Sequence, residues 1–380
     1  MNCWKFSKNF GMGIALNKSE HALIKAPKRI SVVMIELRKE NVMKKVRIGV
    51  VGLGNLGELH VRHLQNKIAD AEVVAVCDVF SERVEEIQKK YEVPAGYTVY
   101  DEMLEKEDLD AVAIVTNVQT HKELIVKACD AKLNIFCEKP LSLIPEECKE
   151  IEKKVEENNT KIFTLGFMRR FDPSHAEAME RIRSGEIGRP VLFKSTSLDG
   201  VSVIDELLDK CKKGAFHPWF FEMGIHDCDL SRWFLGSEIA CAYATGGAYV
   251  REEFADYDDY DNGVALATME NGTCATIHVG KAAACSHVEA EIIGTKGTLR
   301  INAVPRRNRM QIYKDGYIAE QGIVDFLERW EEAFYLEMSN FIDCVLTGRK
   351  PEITVYDGTK SLEMAIILHK SYMEKALIKK

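Results

Sequence analysis

Apolar and amphipathic stretches alternate through residues 44–166. The apolar stretches are short and continuous, and the amphipathic stretches between them have helical periodicity. Strands that are apolar on both faces are typical of a parallel sheet covered by helices on both sides. The pattern therefore predicts an α/β architecture with a doubly wound parallel sheet. The apolar stretches are VRIGVV, EVVAVCD, DAVAIVT, LNIFCE and KIFTLGF.

A different pattern begins after Gly166, where stretches with a period of two residues are joined by Asn-Gly and Lys-Gly turns. Such alternation indicates antiparallel strands with one face buried and the other free. The stretches 324–346 and 357–375 return to helical periodicity. We therefore predict that residues 167–380 form an α+β domain with a large, mostly antiparallel open sheet. Residues 1–43 show no sustained period and are expected to be an N-terminal extension of unknown role.

The composition narrows the class of protein. With 46% hydrophobic and 29% charged residues, the chain of 380 residues falls in the globular range and is long enough for two domains. A net charge of -8 without a basic stripe argues against nucleic-acid binding. No apolar run approaches the length of a membrane span. The 11 cysteines show no disulfide or zinc spacing, so we expect reduced thiols, a cytoplasmic location and no metal site.

A glycine-rich segment, GLGNLG, follows the first apolar strand and opens a helix. In this context the glycines allow a tight turn, close approach of the backbone to a pyrophosphate, and close packing of the helix on the strand. The helix N-terminus adds free N–H groups for phosphate oxygens. This predicts a dinucleotide-binding Rossmann domain in residues 44–166. The expected cofactor-binding residues of the turn are Gly52, Gly54, Asn55, Leu56 and Gly57.

An acidic residue ends the second strand. Asp78 lies 21 residues after Gly57, where a carboxylate binds the ribose 2′-hydroxyl and repels a 2′-phosphate. NAD is therefore the predicted cofactor. Ser81 and Arg83 are near enough in sequence to leave NADP possible.

The segment CEKP lies at the end of the predicted parallel strand LNIFCE. Open parallel sheets bind ligands at the carboxyl ends of their strands, so Lys139 is expected to face the cofactor cleft. An ammonium group there can hydrogen-bond a substrate oxygen and take part in proton exchange. Pro140 restricts the backbone at this position.

The segment FFEMGIHDCDL carries several polar groups among apolar residues. On a helix, Glu222, His226 and Asp229 have the i, i+4 and i+7 spacing of one face. A histidine next to acids can act as a proton carrier. The alternative for this segment taken alone is a solvated helix face on which His226 pairs with a neighbouring carboxylate.

Taken together, the motifs VRIGVVGLGNLGELH, TNVQTH, CEKP, GFMRRFDP and GIHDCD, in this order, resemble the Gfo/Idh/MocA oxidoreductase family. The resemblance extends from Met43 to nearly the C-terminus. It implies a nicotinamide-dependent dehydrogenase that acts on the CH–OH group of a sugar or cyclitol. It also implies that the free face of the C-terminal sheet forms a homodimer or homotetramer.

The resemblance assigns roles to individual residues. Lys139 matches the lysine of the EKP motif and His226 the catalytic histidine, with Glu222 in the place of an aspartate that is usual in the inositol dehydrogenases of the family. Glu222 is therefore expected to orient or pair with His226. The expected residues near the nicotinamide are Thr116, Asn117, His121 and Glu138, and the expected substrate contacts are Lys139, Met168, His226 and Asp229. The alternative for Arg169, Arg170 and Asp172 is a structural joint between domains.

The leading functional hypothesis is an NAD-dependent inositol 2-dehydrogenase, acting on myo- or scyllo-inositol. Glu222 and the segment between Leu198 and Pro218, which has the character of an insertion covering the pocket, favour an alternative within the family. That alternative is a dehydrogenase of hexoses or of glycosides at the 3-position. A more distant alternative, a non-catalytic NAD-sensing regulator, is disfavoured because Lys139 and His226 are both present.

Overall fold

Two separate sheets organise the chain. The computed structural model describes residues 45–157, 162–214, 217–301, 306–323 and 325–380. The predicted extension, residues 1–43, lies outside the described residues. Within these ranges, no helix is both long enough and apolar enough to cross a membrane.

The first sheet is parallel and is formed by short, almost wholly buried strands. Ile48 and Val50 at its centre have no exposed surface, as expected for strands that are covered on both faces. The strands are β1 Val46–Val51, β2 Ala71–Cys77, β3 Ala95–Tyr97, β4 Ala111–Ile114, β5 Asn134–Glu138 and β6 Phe163–Gly166. The helices between them are α1 Asn55–Asn66, α2 Ser81–Tyr91, α3 Tyr100–Lys106, α4 Val118–Asp130 and α5 Pro145–Glu157.

The strand order of this sheet is β3-β2-β1-β4-β5-β6. The order reverses between β1 and β4, which is the topological switch point at which doubly wound sheets bind their ligands. The carboxyl ends of β1, β4 and β5 therefore lie side by side. The predicted parallel sheet is confirmed, and it brings the glycine-rich turn close to the turns after β4 and β5.

The second sheet is larger and mostly antiparallel, as predicted. Its order is β12-β11-β7-β10-β9-β8-β15, with β7 and β10 as its parallel pair. β13 and β14 form a separate hairpin. The strands are β7 Pro190–Gly200, β8 Ile239–Gly247, β9 Asn262–Met269, β10 Cys274–Ala283, β11 His287–Gly294, β12 Thr298–Ile301, β13 Arg306–Lys314, β14 Tyr317–Gly322 and β15 Ile378–Lys379.

Helices cover one face of this second sheet and connect it to the first. They are α6 Pro173–Arg183, α7 Ile204–Lys212, α8 Trp219–Glu222, α9 Gly224–Leu235, α10 Phe326–Thr347 and α11 Val355–Glu374. Short 3₁₀ helices span Met168–Phe171, Val201–Val203 and Glu252–Tyr257.

The last two long helices return to the parallel sheet. α10 buries Met338, Phe341 and Ile342 in the same core as Ile48 and Val50. α11 contributes to the cores of both sheets. The core of the parallel sheet therefore includes residues far beyond position 166, although residues 44–166 supply all its strands.

Candidate active site

The glycine-rich turn after β1 has the shape that a dinucleotide pyrophosphate requires. Gly52 adopts a φ of 88°, and a Cβ there would lie 2.3 Å from the carbonyl oxygen of Val115. A Cβ on Gly57 would lie 1.9 Å from the carbonyl oxygen of Gly52, so only glycine lets α1 start this close to β1. Gly54 has open space beside its Cα, and α1 begins at the next residue, Asn55. The turn and the helix N-terminus thus fit the phosphates of a dinucleotide.

The acid at the end of β2 is held next to this turn. One oxygen of Asp78 accepts a hydrogen bond of 2.7 Å from the backbone N–H of Leu53. The other accepts one of 3.1 Å from the backbone N–H of Phe80. Asp78 is only half-buried, so it can still bind a ribose hydroxyl at the edge of the turn.

The turn after β4 carries three residues expected near the nicotinamide. The hydroxyl of Thr116 lies 2.8 Å from that of Thr120, and Asn117 directly precedes the first residue of α4 without a capping hydrogen bond from its side chain. His121 has a different place from the one expected, because its ring is buried between two carbonyl oxygens, 2.8 Å from that of Pro140 and 3.1 Å from that of Thr116. Burial lowers its pKa. His121 therefore connects the turn after β4 to the turn after β5, and its ring is buried in the protein.

The carboxylate of Glu138 is also turned inward, where it fixes the backbone of its neighbour. It lies 3.0 Å from Nε2 of His60 and accepts a hydrogen bond of 3.1 Å from the backbone N–H of Lys139. The Lys139–Pro140 peptide bond is cis. These contacts hold Lys139 at the carboxyl end of β5, as the sequence predicts.

Glu222 contacts Lys139 and not the expected partner, His226. Nζ of Lys139 donates a hydrogen bond of 3.0 Å to the carbonyl oxygen of Glu222 and lies 3.8 Å from its carboxylate. The i, i+4 spacing predicts contact only within one helix, whereas α8 ends at Glu222 and α9 begins at Gly224. The carboxylate of Glu222 lies instead near the lysine that directly follows β5.

His226 lies in the first turn of α9 and is buried. Its ring packs edge-on against Phe167, with 6.1 Å between the ring centroids. Burial, together with the positive charges of Arg169 and Lys139, holds the pKa of His226 well below its ordinary value of 6.5. The imidazole is therefore uncharged at neutral pH, which is the form that accepts a proton.

The two arginines of the 3₁₀ helix after β6 are buried and form ion pairs with α9. Arg169 donates hydrogen bonds to Ser197 and Asp227, of 2.9 and 3.0 Å. Arg170 donates a hydrogen bond to each carboxylate oxygen of Asp229 and another to Asp357 on α11. The sequence predicts that Asp229 contacts the substrate. In the structure its carboxylate is instead paired with Arg170. These contacts favour the structural alternative for the arginines.

Met168 also lies elsewhere than expected. Its side chain is buried in a cluster with Leu59, Trp330 and Phe334, between α1 and α10. It supports the 3₁₀ helix from within the core. The sequence motif gives its position in the chain, but the direction of the side chain depends on contacts with α10, which is more than 150 residues away.

Asp199, at the end of β7, was missed by the sequence analysis. Burial raises the pKa of its carboxyl, although the charges of Arg169 and Lys139 oppose the rise. The charges of the same two cations also lower the pKa of His226. Asp199 lines a pocket together with Met223, Arg329 and Trp330. The available signal was an acid at a strand end within an insertion-like segment.

The segment between Leu198 and Pro218 contains an ordered helix, α7, which the sequence analysis treated as a loop. Ile204, Leu207 and Leu208 on one face of α7 are buried in the core of the larger sheet. Of the aromatic residues that follow, Trp219 and Phe220 are buried and belong to the core. Among the described residues, no three histidine, cysteine or acidic side chains are grouped so that they could hold a metal ion.

Comparison with known proteins identifies both halves of this arrangement. Residues 46–167 match the sequence model of an oxidoreductase family with an NAD-binding Rossmann fold, and residues 175–300 match the GFO/IDH/MocA C-terminal domain. A scyllo-inositol 2-dehydrogenase (NAD(+)) from Bacillus subtilis is 34% identical over 86% of this chain and 94% of its own length. A myo-inositol 2-dehydrogenase from Thermotoga maritima is 30% identical over 88% and 98%.

Solved structures show the same fold. A scyllo-inositol dehydrogenase from Lactobacillus casei, with bound NAD(H) and scyllo-inositol, aligns with a TM-score of 0.85 at 32% identity over 88% of this chain and 99% of its own. A myo-inositol 2-dehydrogenase from Lactobacillus plantarum aligns with a TM-score of 0.85 at 35% identity and the same coverage. The chain is an oxidoreductase and belongs to the GFO/IDH/MocA family.

Proposed function

We propose that this protein catalyses the NAD-dependent oxidation of a secondary ring hydroxyl of an inositol to a ketone. The observation that carries the proposal is the uncharged imidazole of His226, whose pKa is lowered in part by the charge of Lys139. A neutral base near a cation is suited to removing a proton from a hydroxyl group. The choice of an inositol follows from the similarity to scyllo- and myo-inositol dehydrogenases.

Oxidation of an alcohol removes a proton from oxygen and a hydride from carbon. When bound, the nicotinamide accepts the hydride. His226 accepts the hydroxyl proton, and the ammonium group of Lys139 stabilises the negative charge that develops on the oxygen. Glu222 orients Lys139 through its backbone carbonyl and its carboxylate.

The remaining residues of the site would bind and orient the cofactor and the substrate. The turn from Gly52 to Gly57 would hold the pyrophosphate, Asp78 the adenosine ribose, and the turn at Thr116 and Asn117 the nicotinamide end. Asp199 has an acceptor suited to the ring hydroxyls of a polyol. The functional division remains residues 44–166 for the cofactor and 167–380 for substrate binding and assembly.

A second candidate is oxidation of a hexose or glycoside at the 3-position. Two features favour it: the family resemblance implies aspartate at the position of Glu222, and the helix α7 lies next to Asp199 in the chain. Val203, Leu207 and Lys210 line a cavity together with Asp199, which offers room for a substituent on the sugar.

We also propose that the larger sheet mediates a homodimer or homotetramer. Its outer sheet face is defined here by Tyr243, Val264, Leu266 and Thr276, whose neighbours along each strand are buried on the opposite side. The first three are large and exposed. A cytoplasmic location is proposed because most described cysteines are free, buried thiols.

The test is the increase in absorbance of reduced nicotinamide when the purified protein is mixed with NAD or NADP and a panel of polyols. The panel contains myo-inositol, scyllo-inositol, glucose and simple glucosides. We expect turnover with an inositol and NAD. Turnover with glucosides alone would select the second candidate, and binding of NAD without reduction by any polyol would contradict both.

A further inference from the structure

A basic side chain lies at the edge of the cofactor ribose site. Nε of Arg83 donates a hydrogen bond of 2.6 Å to the carbonyl oxygen of Leu53. The N–H of the same Leu53 donates to Asp78, the acid expected to bind the ribose 2′-hydroxyl. Arg83 and Asp78 are thus fixed to one residue of the glycine-rich turn. A guanidinium in this position is suited to binding a 2′-phosphate.

Each of the three nitrogens of the Arg83 guanidinium already donates a hydrogen bond within the protein. Besides the bond from Nε, Nη1 donates to the carboxylate of Glu86 at 2.6 Å, and Nη2 donates to the carboxylate of Glu58. All three nitrogens therefore have an acceptor, and two carboxylates surround one positive charge. The two carboxylates therefore compete for this positive charge with a phosphate group that approaches Asp78.

Glu58 is itself held firmly in the first turn of α1. Its carboxylate also accepts hydrogen bonds from Nζ of Lys90 at 2.6 Å and from the hydroxyl of Tyr91 at 2.9 Å. Although burial acts to raise its pKa, the bonds from Lys90, Arg83 and Tyr91 lower the pKa of Glu58 to about 2. The carboxylate is ionised at neutral pH and is anchored by residues at the opposite end of α2.

We propose that Glu58 is a specificity-determining residue that excludes NADP, because its carboxylate retains Arg83 in an ion pair and withholds it from a 2′-phosphate. Glu58 is not a cofactor contact. It acts through Arg83, and its effect adds to the direct repulsion of the 2′-phosphate by Asp78. The inference rests on the NAD site in the proposed function, but it does not depend on which polyol is oxidised.

The test is the affinity of the Glu58→Gln variant for the two cofactors, measured by calorimetry with NAD and with NADP in the absence of substrate. Glutamine keeps the size of the side chain and removes its charge, so Nη2 of Arg83 loses its ion pair while the bonds to Leu53 and Glu86 remain. We expect the Kd for NADP to fall roughly tenfold, the size of a charge-assisted hydrogen bond, while the Kd for NAD stays within about threefold.

Three further variants separate this role from others. In the double variant Glu58→Gln, Arg83→Ala the gain in NADP affinity must disappear, because the gain requires Arg83. Arg83→Ala alone must leave NADP affinity unchanged. Glu82→Gln removes the charge of an exposed acid next to Arg83 on α2 and serves as the matched control.

The outcomes distinguish the inference from the cofactor site on which it rests. If wild type does not bind NAD, the cofactor site itself is wrong. If Glu58→Gln binds NAD normally but gains no more NADP affinity than Glu82→Gln, the role of Glu58 in specificity is refuted. Weaker NADP binding by Arg83→Ala alone would refute it as well, because Arg83 would then already be bound to the phosphate.

Discussion

The surroundings of His226 determine whether it can accept a proton. Replacement by alanine removes the imidazole that we propose as the acceptor of the hydroxyl proton, and leaves the glycine-rich turn untouched. We expect His226→Ala to lose roughly 100- to 10,000-fold in kcat, the usual contribution of a positioned acid–base group. The Kd for NAD should stay within about threefold of wild type. Stopped assays and calorimetry measure the two quantities.

A control histidine tests whether the loss is specific. His278 lies on β10, where its neighbours Ile277 and Val279 are buried on the opposite side of the sheet. His278→Ala should keep kcat close to that of wild type. A His226→Ala variant that keeps near-normal turnover would remove the histidine from the mechanism.

The lowered pKa of His226 gives a prediction about pH. A base must be unprotonated, so kcat/KM should stay level as the pH falls through 6.5 and should decrease only at lower pH. Because Lys139 contributes to the lowering, Lys139→Met should raise the pKa of His226, as seen by NMR titration of the imidazole. Lys153→Met, which changes an exposed lysine on α5, should not. A wild-type profile that is already halved at pH 6.5 contradicts the neutral base.

The sequence predicts the identity of the central residues better than their partners. Lys139 and Asp78 could be placed because each directly follows a strand of a recognisable parallel sheet. The partner of Glu222 could not be predicted, because helical spacing pairs it with His226. In the structure the helix is interrupted at Met223, and the lysine after β5 becomes its partner. Met168 was likewise misplaced because distant residues decide the direction of its side chain.

At the scale of elements, α10 carries a fully buried acid near the strand that ends at Glu138. Glu337 has no exposed surface, and within the described residues its carboxylate has no hydrogen-bond partner. Burial and the charge of Glu138 raise its pKa well above the ordinary value of 4.5. Glu337 is therefore protonated in the folded protein over a range of pH in which the unfolded chain is ionised.

This difference makes folding stability depend on pH. Below pH 4.5 both states are protonated, and Glu337 adds no pH dependence. As the pH rises above 4.5, unfolding releases a proton, so the free energy of unfolding falls by up to about 1.4 kcal/mol per pH unit until the folded-state pKa is reached. We expect Glu337→Gln to be less sensitive to pH over this window, in urea unfolding at a series of pH values.

The matched control is Glu332→Gln, which changes an exposed acid on the same helix. It should keep the wild-type pH dependence. Equal slopes for wild type and Glu337→Gln would mean that Glu337 is already ionised in the folded protein.

Long periodic elements were predicted more successfully than short ones. The parallel strands and their main helices follow from continuous apolar runs and helical periodicity. β3 and α3 are short and gave no pattern of their own, and the β13–β14 hairpin was also missed. α7 was overlooked because its apolar residues are spread over an apparently loop-like segment, and their burial depends on the core of the larger sheet.

At the scale of the whole molecule, the exposed apolar residues of the outer sheet face predict an interface with another protein chain. Tyr243 pairs with Leu266 across β8 and β9, and Leu266 pairs with Thr276 across β9 and β10. Val264 extends this apolar patch along β9. A contiguous patch of exposed apolar residues on a sheet is typical of a protein–protein interface, and a second copy of the chain presents the same self-complementary surface.

A charge at the centre of this patch should therefore weaken assembly. Leu266→Lys places two ammonium groups against each other or against apolar side chains when two copies meet, and burying an unpaired charge is costly. We expect the wild-type protein to sediment as a dimer or tetramer and the variant to shift towards monomer in analytical ultracentrifugation. Leu346→Lys, at an exposed leucine near the end of α10, should keep the wild-type mass. An assembly that Leu266→Lys leaves intact must use another surface, since the lysine cannot be accommodated within the patch without losing its hydration.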